Sequence, residues 1–81
     1  MAELKATYDR EANAAYIYFE DPAQAGAPGT AVRTYPCDPI TVHGMINLDF
    51  DEDGRVIGIE ILDARSKLPP YLLEAAERLD T

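Results

Sequence analysis

Tryptophan is absent from this 81-residue chain, cysteine and histidine occur once each, and only seven residues are basic. The single cysteine, Cys37, excludes an intrachain disulfide, so nothing requires an oxidising compartment. Cys37 and His43 are too few for a zinc site. As a nucleophile and base they lack any residue to orient the histidine, so a free thiol and a loop histidine are the expected reading. No apolar run approaches the roughly 18 residues that span a bilayer. The stretch M-A-E-L-K-A-T-Y has no basic region leading into an apolar one. A soluble, cytoplasmic protein is therefore expected. Fifteen acids give a net charge of −8. Such a chain is repelled by phosphate, which argues against nucleic-acid or anionic-membrane binding through a basic patch. The G-A-P-G at residues 26–29 lacks the lysine and helix of a phosphate loop. Acid excess serves either solubility or a small basic protein partner.

What the chain does have is alternation. I-N-L-D-F-D-E-D-G-R-V-I-G-I-E-I-L at 46–62 carries two period-two runs around Asp53-Gly54, a strong hairpin signal. A turn there pairs Glu52 with Arg55, Phe50 with Ile57, Leu48 with Ile59 and Ile46 with Ile61. Asn47, Asp49, Asp51, Val56, Gly58 and Glu60 then share the opposite face. A one-residue slip would bury Asp49 and Asn47 among isoleucines, so pattern and turn chemistry agree. Leu4–Tyr8 and Ala14–Phe19 form a first hairpin with Tyr8 opposite Ala15. Leu4, Ala6, Tyr8, Ala15, Ile17 and Phe19 line one face, and Lys5, Thr7, Tyr16 and Tyr18 the other. Residues 20–30, with two prolines and two glycines, read as a surface loop. Ala31–Tyr35 is a short third strand, followed by an irregular connection with an extended piece at Ile40–Val42.

Pro69-Pro70 marks a helix start. Leu72, Ala75, Ala76 and Leu79 recur at helical spacing, Leu68 sits under the first turn, and Glu74 and Arg78 pair across one turn. At about ten residues this helix must dock on the apolar sheet face. The expected fold is α+β, one domain over residues 1–81. It is an antiparallel sheet of four to five strands built from two β-hairpins, with one C-terminal helix packed on one face.

T-Y-D-R-E-A-N-A-A-Y-I-Y at 7–18 and N-L-D-F-D-E-D-G-R-V-I-G-I-E-I-L-D-A at 47–64 resemble the two hairpins of the YuzE-like family of small bacterial domains, whose function is unknown. The resemblance covers most of the chain, although residues 36–45 are longer than the usual connection. It brings no catalytic or binding residues. Members of similar families are encoded beside small basic proteins resembling ribonuclease toxins, which implies an antitoxin-like role.

Asp49, Asp51, Asp53, Gly54, Val56 and Glu60 also fit the spacing of an EF-hand loop. That loop works between helices, and here the flanks are period-two, so the hairpin reading ranks first with only weak calcium binding left to the acidic tip. Acid–base chemistry by paired carboxylates would need a cleft, which one sheet and one helix leave little room to build. No cofactor is expected and no enzyme activity. A single helix covers one face of the sheet, so the other meets water or a partner. Tyrosine is enriched at interfaces. Tyr16, Tyr18, Asn47, Asp49, Asp51 and Glu60 are accordingly the candidate partner-binding face. The expected function is a non-enzymatic protein-binding module, with a homo-oligomer second and a carboxylate- or metal-dependent enzyme third.

Overall fold

Alternation builds the sheet in the computed structural model, which describes residues 4–20 and 31–78. Strands β1 (Lys5–Asp9) and β2 (Ala14–Tyr18) pair antiparallel with Tyr8 opposite Ala15, as the two-face pattern predicts. Their turn is closed by Asp9, whose Oδ1 accepts the N–H groups of Glu11 (3.0 Å) and Ala12 (3.1 Å). Asn13 then takes a left-handed conformation, φ 53°, which its short polar side chain tolerates.

Strands β3 (Arg33–Pro36), β4 (Ile46–Phe50) and β5 (Val56–Leu62) complete the antiparallel part. Ile46 faces Ile61 and Leu48 faces Ile59, as expected. Nearer the turn the register departs from expectation. A bulge between Asp49 and Phe50 sets Phe50 opposite Val56 rather than Ile57, and Glu52 and Arg55 lie inside the turn. The two-residue hairpin turns need positive φ at the first central residue, and type I′ at both, whereas here only Gly54 adopts it, at 80°. The chain instead closes Gly54 N–H onto the Asp51 carbonyl (3.1 Å) and Asp51 N–H onto that of Arg55 (3.0 Å).

The strand order is β3-β4-β5-β2-β1 with a two-residue strand, β6 (Glu77–Arg78), added parallel to β1. The hairpins join through β2 and β5, with Tyr16 opposite Glu60 and Tyr18 opposite Gly58. Strand β3 begins two residues later than expected and forms one edge. Cys37 N–H donates to the Ile46 carbonyl (2.8 Å), so by ladder alternation Pro36 turns its backbone outward. A proline there loses no ladder bond and blunts the edge against strand addition.

The expected extended piece at Ile40–Val42 is instead helical, in the single turn α1 (Pro39–Val42). Asp38 caps it, accepting from Ile40 N–H (3.0 Å) and the Thr41 hydroxyl (3.0 Å), and proline at the first position pre-sets φ. The Ile40 amide is the main cause holding the Asp38 carboxyl below its ordinary value.

The single ten-residue helix is replaced by two short ones, α2 (Ala64–Lys67) and α3 (Pro70–Ala75). Extended Pro69 separates them, and Ala76 turns extended so that the chain runs into β6 beside Thr7 and Tyr8. So short a helix holds little stability of its own, and pairing with the open edge of β1 wins beyond Ala75. Arg78 therefore stands in a strand and not one helical turn from Glu74. Leu79 and residues 21–30, which include most of the expected surface loop and the G-A-P-G, lie outside the described residues.

Tyr8, Ala15, Ile61, Ala64 and Leu73 form the buried core. Ile17, Ile46, Ile59, Leu68 and Ala76 pack partly buried against it. Leu73, rather than Leu72 or Ala75, is the buried residue of α3. Asn13 ties this layer together. Its carbonyl accepts from Ala64 N–H and its Oδ1 from Arg65 N–H, each at 3.0 Å. Its Nδ2 donates to Asp63 Oδ1, also at 3.0 Å. No helix among the described residues is long and apolar enough to cross a membrane.

Candidate functional site

Helices α2 and α3 pack on the core side of the sheet, and the other side presents the alternate residues of five strands. These are Lys5, Thr7 and Asp9 on β1, Tyr16 and Tyr18 on β2, Gly58 and Glu60 on β5, Asn47 and Asp49 on β4, and Thr34 on β3. Five of the six residues singled out in the sequence (Tyr16, Tyr18, Asn47, Asp49 and Glu60) thus meet on one face. Asp51 does not join them. Its Oδ1 accepts the N–H groups of Asp53 and Arg55, both at 2.9 Å, so it is a turn residue displaced by the bulge.

The face is internally organised. Gly58 carries no side chain, and the Tyr16 ring occupies the space a Cβ there would need. That Cβ would stand 2.5 Å from Tyr16 Cε1 and 2.7 Å from Cζ. Lying across β5, Tyr16 donates its hydroxyl proton to Asp49 Oδ2 on the next strand. Thr34 Oγ1 donates to the other oxygen, Oδ1, at 2.5 Å. Burial, and then the Asp49 carboxylate, raise the Tyr16 pKa well above an ordinary tyrosine's, so the phenol stays a donor. Asn47 Nδ2 donates to Glu60 Oε1 at 2.8 Å, a cross-strand pair between β4 and β5. The Tyr16 and Tyr18 rings lie 4.5 Å apart and tilted, and Lys5 Nζ stands 5.4 Å from the Tyr18 ring centre.

Beside this network an open depression of about 240 Å3 is lined by Thr7, Asp9, Tyr16, Tyr18 and Glu60 together with Ala14 and Ala15. Thr7 is 4 % exposed, and its hydroxyl has no hydrogen-bond partner among the described residues. Thr7 and Asp9 were outside the set singled out from sequence, although period-two alternation along Lys5-Thr7-Asp9 carries the signal for both.

The EF-hand spacing is carried by a hairpin. Asp49 bonds across the sheet, Asp51 caps the turn, and Asp53 pairs with Arg55 at 3.4 Å in solvent. Among the described residues no three His, Cys, Asp or Glu side chains gather as a metal site. Cys37 is a half-buried free thiol after β3, while His43 is exposed and closes α1 with φ 53°.

No curated protein and no solved structure matches the chain. A family model described as Protein of unknown function (DUF2283) matches residues 5–65, which span both hairpins, the connection between them and the start of α2. The chain belongs to this uncharacterised domain family.

Proposed function

We propose that this protein is a non-enzymatic binding module that takes a basic protein partner on the face of its sheet opposite α2 and α3. The observation that carries the reading is the ordering of that face. Asp49 and Glu60 are already oriented by Tyr16, Thr34 and Asn47, and the tyrosine pair beside them is held by Gly58. Side chains fixed before encounter lose little entropy on binding, and aromatic area beside fixed charge suits an interface. Asp9, Asp49 and Glu60 outnumber Lys5 among the strand residues on this side, and the net charge of −8 speeds encounter with a basic surface. The antitoxin-like form of the reading, in which the partner is a small basic protein to be neutralised, rests on the family resemblance alone.

Self-association is a second reading, favoured by a different observation. On the core side of the sheet, Leu4 and Tyr35 are each 61 % exposed and Phe19 is 41 % exposed. Leu4 and Phe19 neighbour each other across β1 and β2 while Tyr35 stands on the far edge strand β3, and exposed apolar side chains on one side of a small sheet are common where copies meet.

The test is capture from a host lysate with the tagged full chain and its Glu60→Lys variant, at low and high salt. The proposal expects a stoichiometric basic protein, lost as salt rises and lost with the variant. A partner held equally by both proteins, or only further copies of the bait, would count against it.

A further inference from the structure

We infer that the depression lined by Thr7, Asp9, Tyr16, Tyr18 and Glu60 receives the guanidinium group of an arginine side chain presented by the protein partner. This inference rests on the proposed basic partner and names the group that anchors it.

The first observation is Thr7. A hydroxyl on a residue only 4 % exposed, with no partner among the described residues, is an unsatisfied polar group that folding alone does not explain. It lines the depression, so a donor arriving there would satisfy it. The second is the charge of the lining, which holds the carboxylates of Asp9 and Glu60 and, among the described residues, no base. Each carboxylate keeps accepting capacity, because the bonds from Glu11 and Ala12 reach only Asp9 Oδ1 and the bond from Asn47 reaches only Glu60 Oε1. The third is the aromatic wall. Tyr16 and Tyr18 stand together with ring centres 4.5 Å apart, and the Tyr18 ring already takes a cation, the Lys5 ammonium at 5.4 Å.

These features select arginine. A planar guanidinium stacks on a phenol ring and offers a fork of donors to a carboxylate and a hydroxyl together, whereas an ammonium is a compact, strongly hydrated charge. They also favour a side chain over a free metabolite. The depression is open and holds about 240 Å3, less than the roughly 300–1,000 Å3 of pockets that engulf a small ligand.

The experiment is a titration of the isotopically labelled full chain with a blocked tripeptide carrying a central arginine, followed by amide chemical shifts. The same peptide with citrulline in place of arginine is the neutral control. Shifts are expected to centre on Thr7, Asp9, Tyr16, Tyr18 and Glu60 and to vanish with citrulline. Glu60→Gln should weaken binding at least about tenfold, the loss typical of a charged hydrogen-bond partner. Thr7→Val should weaken it while leaving the melting temperature unchanged or raised, because valine removes the unsatisfied hydroxyl without changing the shape. Thr7→Ser should restore it. Absent shifts, shifts spread over other acids, equal binding of citrulline, or undiminished binding by Thr7→Val would each overturn the assignment. If the peptide fails while a basic protein is still captured through this face, the pocket falls and the partner reading stands. If the peptide binds here and no basic protein is captured, the partner reading falls instead.

Discussion

Gly58 is where a missing side chain decides the geometry of the candidate face. Its gap lets Tyr16 reach across β5 to Asp49 on β4, which couples three strands through one hydrogen bond. A methyl group at 58 would have to push the ring aside and break that bond. Gly58→Ala is therefore expected to cost about 1–3 kcal/mol, the range for overpacking. The cost should shrink in a Tyr16→Ala background, where nothing remains to displace. Urea unfolding of the wild type, both single variants and the double variant gives the coupling directly. Additive effects would mean that Tyr16 does not depend on Gly58. At this scale the sequence was legible for Tyr16, Tyr18, Asn47, Asp49 and Glu60, because alternation alone sorts them to one face. The role of Gly58 was not legible, since it depends on β2 lying beside β5, a neighbour relation that neither hairpin encodes.

Elements were legible in proportion to their length and periodicity. Both hairpins follow the expected registers over most of their length, because each residue that obeys the two-face rule adds to the penalty for slipping. The register failed near Asp51, where turn hydrogen bonds outweighed pattern and extruded a bulge. The C-terminal helix was misread because four apolar residues at helical spacing say nothing of an open β1 edge nearby, and β6 takes Glu77 and Arg78 there. The docking of α2 turned on Asn13, which looks like an ordinary turn residue. It instead supplies a carbonyl and a carboxamide to Ala64, Arg65 and Asp63. Asn13→Gly keeps the left-handed backbone and removes only the carboxamide bonds. A loss of about 1–3 kcal/mol is expected, with faster amide exchange at Arg65 while the β1–β2 ladder stays protected. Unchanged exchange at Arg65 would show that α2 is held by its apolar contacts and the Ala64 bond to the Asn13 carbonyl, without the carboxamide.

The whole molecule has two unlike faces and two guarded edges. Pro36 blunts the β3 edge, and β6 covers part of β1, so strand addition is a poor route to a partner. One face carries ordered tyrosines and carboxylates around Thr7, whose hydroxyl has no partner among the described residues. The other is covered by helices over Tyr8, Ala15 and Ile61, and leaves Leu4, Phe19 and Tyr35 exposed. Charge points to the first face for a basic partner, and apolar exposure points to the second for another copy of the chain. Composition could not separate them, because acid excess is a property of the whole surface and not of a place on it. The most direct measurement is an amide shift map of the labelled chain titrated with the protein it captures. Perturbations centred on Thr7, Tyr16, Tyr18, Asp49 and Glu60, fading as salt is raised, are the predicted result. Perturbations centred on Leu4, Phe19 and Tyr35 and insensitive to salt would contradict the assignment of function to the tyrosine–carboxylate face.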